Sequence, residues 1–405
     1  MKPRYWLSTR LSAAIALLML LGVALSSTGQ AASTTSVQNV SQDGADSLLP
    51  RVAQDPNGNV HVVWDTTEGG RKVRWRKGTW NAQANRYDFG PSVVIADVGG
   101  FQYSTPSIGI SPNGTVLATW SNGFRVYGRQ WNMNDAQPGG NTFQIMPGFD
   151  SNIAVDSNNH FHIVSNGDFY VQYCELIGQQ CAKRDSFSRD LNARPDVTVD
   201  RNNGVHAVWY GQGIRYRYRA AGQEWGNTEV LAGGGNDPQI SADGKDAGGK
   251  SNVYIVWSQD YNIQMCRKIV GETGSGCAEK RFFDGAEDLS PTVGATRSSN
   301  VAVTFYDNKF KSIWLNTRED GAWAPSQAIA DGPTKPDATS RPYSNRISSV
   351  WSENYEIRIS TVIVKEGQCD AFIGAGQGLD VSPAAINPDT DLFLPIITVS
   401  PRPVC

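Results

Sequence analysis

A unit of about 48 residues occurs seven times along this 405-residue chain. Residues 50–64, PRVAQDPNGNVHVVW, match residues 195–209, PDVTVDRNNGVHAVW, from the first proline through the Asn/Gly turn to the histidine and the tryptophan. The copies begin near residues 50, 106, 152, 195, 238, 291 and 336. The fold of this chain must therefore repeat one structural unit seven times.

Each copy contains the same succession of short strands. Apolar and polar residues alternate on both sides of an Asn/Gly turn, which is typical of an antiparallel hairpin. A third alternating strand follows, such as IRYRYR at 214–219, and a fourth, such as SVVIADV at 92–98, precedes the next copy. Four strands in about 40 to 50 residues indicate a propeller blade. We predict an all-β protein, a β-propeller of seven four-stranded blades.

The second strand of most copies ends in a large aromatic residue. A side chain that recurs once per repeat at the end of an apolar strand is typical of a core, so we favour packing between blades over a sugar-stacking surface. Ser165 is the exception, and we expect the first cysteine pair to compensate for it. The seven equivalent positions are Trp64, Trp120, Ser165, Trp209, Trp257, Phe305 and Trp351.

An open ring of blades would leave two unpaired strand edges. The segment TSVQNVSQDGADSLLP, residues 35–50, resembles the passages that lead from a fourth strand to a proline elsewhere in the chain. This segment could therefore supply the outer strand of the seventh blade and close the ring, although the sequence does not decide whether it does.

The N-terminus has the pattern of a secretory signal peptide. Lys2, Arg4 and Arg10 precede the apolar stretch LSAAIALLMLLGVALSS, and the small residues of TGQAAS follow it. The apolar run is shorter than the roughly 20 residues that span a bilayer. We predict a signal peptide over 1–32, the propeller over 33–368 and a tail over 369–405. The mature protein is then exported, extracellular or at the cell surface, without a stable membrane span.

Six cysteines form three pairs that are close in sequence: Cys174 with Cys181, Cys266 with Cys277, and Cys369 with Cys405. In an exported chain such pairs favour disulfides. A zinc site is the competing interpretation, but the cysteines lack CxxC spacing and neighbouring histidines, so we predict no metal site. We also predict no cofactor. The 36 Lys and Arg nearly balance the 39 Asp and Glu, which argues against nucleic acid as a partner.

One face of a propeller carries the loops that enter the inner strands and the loops that join second to third strands. The entry positions are Leu49, Thr105, Ser151, Arg194, Asp237, Ser290 and Lys335. Carboxylates, tyrosines and a few cations on this face suit a polyhydroxylated or anionic ligand, although any loop surface is polar. The candidate ligand-binding residues are Arg194, Tyr210, Asp237, Tyr261, Tyr306, Asp307, Lys335 and Glu353.

The repeats resemble the sialidase-like propellers that contain bacterial neuraminidase repeats. Segments that resemble the Asp-box of that family are YRAAGQEW at 218–225, NTREDGAW at 316–323 and WRKGTW at 75–80. The resemblance implies an exo-acting glycoside hydrolase with an arginine cluster, a Tyr-Glu pair and an Asp acid/base. Tyr306, Glu353 and Asp307 would be the catalytic candidates. The chain departs from the family where Ala220 stands at the Asp position, and in having seven blades where such sialidases have six.

Three functions remain open from the sequence. The leading hypothesis is a secreted propeller that binds a glycan or another surface polymer without catalysis. The alternatives are a sialidase-type hydrolase, which requires Arg51, Arg194 and Arg341 to converge on one small ligand, and a scaffold for an extracellular protein. A shared fold does not decide between them.

Overall fold

A computed structural model of the protein describes residues 32–364 except for 101–103, 168–169, 191–192, 244–249, 273–275, 284–287, 297–298, 320, 332–336 and 341–344. The described residues form seven antiparallel sheets of four or five strands. The innermost strand of each sheet contacts the innermost strand of the next, and the last contacts the first. The predicted seven-bladed β-propeller is therefore confirmed.

The 31 strands within the described residues follow the sequence repeats. The N-terminal segment and blade 1 contain β1 (Ser33–Thr34), β2 (Gln38–Asn39), β3 (Ser47–Gln54), β4 (Val60–Thr66), β5 (Arg71–Asn81), β6 (Arg86–Phe89) and β7 (Val93–Gly99). Blades 2 and 3 contain β8 (Ser107–Ile110), β9 (Thr115–Ser121), β10 (Arg125–Asn132), β11 (Phe143–Pro147), β12 (Phe149–Val155), β13 (Phe161–Asn166), β14 (Val171–Ile177) and β15 (Gln180–Ser186).

Blades 4 and 5 contain β16 (Asp196–Val199), β17 (Val205–Gly211), β18 (Gly213–Arg219), β19 (Glu229–Ala232), β20 (Asn236–Ala242), β21 (Asn252–Gln259), β22 (Asn262–Ile269) and β23 (Glu279–Phe283). Blades 6 and 7 contain β24 (Asp288–Ala295), β25 (Val301–Asp307), β26 (Ser312–Glu319), β27 (Ala322–Trp323), β28 (Gln327–Asp331), β29 (Asp337–Ser340), β30 (Arg346–Glu353) and β31 (Glu356–Ile363).

The N-terminal segment closes the ring, a question that the sequence left open. Both β1 and β2 pair with β31 and together form the outer strand of blade 7. The buried Val40 packs with Trp64 of blade 1 and Ile357 of blade 7. This segment therefore joins the two ends of the chain through hydrogen bonds and through a shared apolar core.

The repeated aromatic residues are buried between blades. Trp64, Trp209 and Trp351 have no exposed surface. Trp351, for example, packs on Tyr306 and Ile313 of the preceding blade. The core interpretation is thus confirmed for these positions.

Blade 3 lacks the aromatic residue because backbone occupies the space. A Cβ atom at Gly148, where φ is +128°, would lie 2.6 Å from the Ser165 hydroxyl oxygen. That hydroxyl donates to the Pro147 carbonyl at 3.3 Å. A side chain larger than serine would collide with this connection between blades 2 and 3.

Aspartates at the end of the inner strands cap the turns to the second strands. One carboxylate oxygen of Asp200 accepts the backbone N–H groups of Asn202 and Gly204 at 2.7 and 2.9 Å. The other lies 3.0 Å from His206, whose second ring nitrogen lies 2.7 Å from the Tyr216 hydroxyl. The buried histidine of the repeat therefore supports a turn.

The equivalent carboxylate of blade 5 makes stability depend on pH. Burial raises the pKa of Asp243 to about 6, although hydrogen bonds from Asn252 and Tyr254 act in the opposite direction. Because the folded-state pKa lies above the usual value near 3.9, the stabilisation is complete below about pH 4 and is lost as the pH rises through 6.

We therefore expect the wild type to gain on the order of 3 kcal/mol relative to Asp243→Asn as the pH falls from 7 to 4. Urea unfolding of both proteins at a series of pH values measures this difference, and the comparison cancels the titration of the other carboxylates. If the difference in free energy of unfolding between the two proteins did not vary with pH, Asp243 would not be the source of the pH dependence.

Two of the predicted disulfides are present. Cys174–Cys181 and Cys266–Cys277 each join the third strand of a blade to the segment that follows it. Such bonds are typical of proteins that mature in an oxidising compartment. In the part of the chain that the structure describes, no helix is long and apolar enough to cross a bilayer. The predicted signal peptide, the tail and the Cys369–Cys405 pair lie outside the described residues.

Candidate functional site

The face that carries the entries to the inner strands also carries the turns from second to third strands. We call it the entry face. The antiparallel order of the four strands in each blade places these two kinds of connection at the same end of the propeller. The Asp-capped turns lie at the opposite end.

In the six blades whose entry residue the structure describes, this residue has a left-handed backbone. Positive φ angles of 37–51° occur at Leu49, Thr105, Asp150, Arg194, Asp237 and Ser290. Such angles are uncommon for residues other than glycine. In blade 3 the residue concerned is Asp150 and not Ser151, so the predicted alignment of that copy was wrong by one residue. The cause is that Ser151 replaces the proline that marks this position elsewhere.

The entry residues of neighbouring blades contact one another around the mouth of the central channel. The Asp150 backbone N–H donates to the Thr105 hydroxyl at 3.3 Å. Arg194 forms an ion pair with Asp237, and the Ser290 hydroxyl donates to the same carboxylate at 3.3 Å. The structure thus brings together two predicted site residues, Arg194 and Asp237.

The ion pair neutralises much of the charge that these residues offer to a ligand. Burial by itself would lower the pKa of Arg194, but the Asp237 carboxylate outweighs this effect and raises it. The Arg194 side chain is 55% exposed, whereas Asp237 is nearly buried. The pair therefore joins blade 4 to blade 5 and leaves one edge of the guanidinium open to solvent. Lys335 lies outside the described residues.

Side chains that line the central channel hold the blades together. A cavity of about 390 Å³ lies among the inner strands of blades 1 to 6. Asp196 accepts the backbone N–H of Ile240 in the next blade at 2.9 Å, and Ser241 accepts that of Ala295 at 3.1 Å. These bonds satisfy backbone donors at the free edges of the inner strands.

Exposed aromatic rings lie at the second-to-third-strand turns of five blades. The exposed fractions range from 42 to 67%. Blades 5, 6 and 7, which are consecutive, contribute three of the rings, and blades 2 and 3 contribute two. The residues are Phe124, Tyr170, Tyr261, Phe310 and Tyr355.

The turns that carry these rings are tightly held. Asp260 and Tyr261 have φ values of 52° and 62°, and Asn354 and Tyr355 have 51° and 63°. Two successive positive angles are typical of the two-residue hairpin turn whose twist matches that of the strands. Blades 5 and 7 therefore present a tyrosine at the same turn position and on a backbone of the same shape.

Several predicted site residues have structural contacts. Tyr306 is 8% exposed and packs on Trp351. The buried Asp307 carboxylate accepts the backbone N–H groups of Lys309 and Phe310 at 2.8 and 3.0 Å. Half-buried Tyr210 packs against the core between blades 4 and 5.

The remaining arginine and carboxylate candidates are also engaged. Glu353 pairs with Arg358 at 3.3 Å. Arg51 lines the channel and donates to the Pro50 carbonyl at 3.2 Å. Arg341 lies outside the described residues. Within those residues, no group of three or more His, Cys, Asp or Glu side chains is placed to hold a metal ion.

Four of the five exposed rings were not singled out from the sequence. Only Tyr261 was a candidate, although Tyr355 fell within the loops that were assigned to the entry face. The sequence signal is an aromatic residue four or five positions beyond the Trp position. That signal is weak because the turns differ in length from blade to blade.

Comparisons with known proteins show the fold and no family. No protein-family model matches the chain, and no curated protein matches its sequence. The β-propeller domain of Cps50 (Swd1) from Myceliophteria thermophila is 12% identical with a TM-score of 0.54, and the alignment covers 82% of this chain and 100% of that domain.

Two further solved structures are less similar. AofleA from Arthrobotrys oligospora is 11% identical with a TM-score of 0.49, over 76% of this chain and 92% of its own. The Hadza microbial sialidase Hz136 is 9% identical with a TM-score of 0.42, over 78% of this chain and 65% of its own. What the comparisons establish for this chain is a β-propeller fold, and they do not show that it belongs to the sialidase family.

Proposed function

We propose that this protein binds a glycan on its entry face without catalysis. The observation that supports the proposal is the recurrence of an exposed aromatic ring at one kind of turn in five blades. A large apolar side chain in water is unfavourable, and several on one face mark an interaction surface. The electron-rich face of an aromatic ring attracts the C–H groups that cover one side of a sugar ring.

The shape of the turns supports this function further. Because the backbones of Tyr261 and Tyr355 are held in tight turns, little conformational freedom is lost when a ligand stacks on the rings. Three consecutive blades that each carry one ring suit a chain of repeated sugar units. When one ring holds a sugar unit, the effective concentration of the next unit of the same chain at the neighbouring ring increases.

A sialidase-type hydrolase is the alternative from the sequence, and the contacts of its candidate residues do not favour it. The Asp307 carboxylate is buried in its own turn, and Tyr306 is almost fully covered. Arg194 is paired with Asp237. Hydrolysis of a fluorogenic sialoside would test this alternative directly.

We further propose that the protein acts outside the cytoplasm. The two disulfides support export. The signal peptide over 1–32 and the tail over 369–405 belong to the same proposal. A glycan or an extracellular protein would be the partner in that location.

A variant with Tyr261→Ala, Phe310→Ala and Tyr355→Ala tests the glycan proposal. Each ring is expected to contribute about 1–2 kcal/mol through stacking. The affinity of the triple variant for the glycan should therefore be lower by about a hundredfold or more. A glycan array identifies the class of glycan that the wild type binds. Affinity electrophoresis in gels that contain this glycan measures the loss of affinity in the variant.

Phe282→Ala is the matched control for this experiment. Phe282 is 63% exposed, but it lies in the outer strand β23 and not in a turn of the entry face. Its removal should leave binding unchanged. Equal binding by the triple variant and the wild type, or a silent array, would refute the proposed function.

A further inference from the structure

The turn of blade 6 differs from the other aromatic turns in its charge. Lys309, Phe310 and Lys311 are three consecutive exposed residues between β25 and β26. In blade 7, by contrast, the neighbours of Tyr355 are acidic, and both Glu353 and Glu356 pair with Arg358. Phe310 thus has a lysine on each side, whereas Tyr355 lies between Asn354 and Glu356.

Both lysines have neutral contacts. The Lys309 ammonium nitrogen lies 5.4 Å from the centre of the Phe310 ring. The Lys311 ammonium donates to the Asn308 side-chain oxygen at 2.6 Å. A cation whose contact is a ring face or an amide keeps its capacity to bind a carboxylate or sulfate.

The turn itself is preorganised. The buried Asp307 carboxylate caps it, and this same hydrogen bonding keeps that negative charge away from solvent. The Phe310 ring lies 6.3 Å from the Trp314 ring, which is positioned by a 2.8 Å hydrogen bond from its indole N–H to Ser312. An aromatic face and two ammonium groups are thus presented together on a supported backbone.

We infer that the blade 6 turn recognises an anionic sugar unit, with Phe310 stacking on the ring and Lys309 and Lys311 binding its carboxylate or sulfate. This inference rests on the proposed glycan-binding function and names the class of glycan. The tyrosine turns of blades 5 and 7 would contact adjacent units of the same polymer.

The test compares charged polymers with their neutral counterparts. The probes are polygalacturonate and its methyl ester for a carboxylate, and dextran sulfate and dextran for a sulfate. We expect one or both anionic polymers to bind about tenfold more tightly than the neutral counterpart at low salt. The K309Q/K311Q variant should lose that preference and keep its affinity for the neutral polymer, whereas F310A should weaken binding to both.

Two controls separate recognition of an anionic sugar from attraction of any polyanion. Poly-glutamate carries carboxylates without sugar rings and should bind no more tightly than the neutral polymers. The K280Q/F282A variant removes an exposed lysine and an exposed phenylalanine from β23 and should behave as the wild type.

The outcomes distinguish this inference from the function on which it rests. Equal binding of charged and neutral polymers, tight binding of poly-glutamate, or an unaltered preference in K309Q/K311Q overturns the inference, whatever the glycan array shows. A glycan array that is positive only for neutral glycans also overturns it and leaves the proposed function in place. A silent array overturns both.

Discussion

Replacement of Trp209 by alanine is expected to lower the free energy of unfolding by about 3–5 kcal/mol. The indole is fully buried and packs on Val171 of blade 3 and on Ala193 of the connection between blades 3 and 4. Its N–H donates to Asp190 at 3.1 Å, and its ring centre lies 5.6 Å from that of Phe187. Truncation would leave a cavity between two blades and a carboxylate without its donor.

Chemical denaturation with tryptophan fluorescence and circular dichroism measures this loss. Trp209→Phe is the conservative control, because it retains an aromatic ring and loses the hydrogen bond and only part of the buried volume, and it should cost about 1–3 kcal/mol. Tyr261 lies in an exposed turn of the entry face, so Tyr261→Ala should change the free energy of unfolding by less than about 0.5 kcal/mol. Similar losses in the alanine variants of Trp209 and Tyr261 would contradict a core function for the repeated tryptophan.

Removal of the N-terminal segment through residue 41 is expected to cost about 5 kcal/mol or more, which approaches the whole stability of many domains. The Val40 N–H donates to the Ile357 carbonyl, and the Thr35 N–H donates to the Thr361 carbonyl at 2.9 Å. Without these bonds the edge of β31 becomes free to pair with another chain. Size-exclusion chromatography and thermal unfolding should show association and an early transition.

Two point variants separate closure of the ring from a general effect of truncation. Val40 is fully buried, whereas Val37, in the same segment, is 38% exposed. Val40→Ala should cost about 1–3 kcal/mol, and Val37→Ala should cost less than about 0.5 kcal/mol. A truncated protein that unfolds at the wild-type temperature would show that β1 and β2 are dispensable for closure.

The sequence was most informative where local patterns repeat. Period-two alternation, Asn/Gly turns and one buried aromatic residue per unit predicted the blades. The passage before Pro50 indicated a segment that could close the ring, and the structure shows that it does. The one error of alignment arose in blade 3, where Ser151 replaces the marker proline. A sequence repeat is read from such markers, so the loss of one shifts the alignment.

The candidate site was less predictable because it depends on the direction and the exposure of side chains. Arg194 and Asp237 were both selected from equivalent positions, yet only the structure shows that they bind each other. Asp307 was selected as a ligand-binding carboxylate, whereas one of its oxygens caps the turn that presents Phe310. Phe310 itself was not selected.

The sequence by itself determined the number of blades, the order of their strands and the location of the aromatic core, because hydrophobic alternation and turn residues act within each repeat. Only the tertiary structure decided which polar residues join neighbouring blades and which aromatic rings remain in solvent. Those properties depend on contacts between repeats that are distant in sequence, and each blade covers a different part of its neighbour.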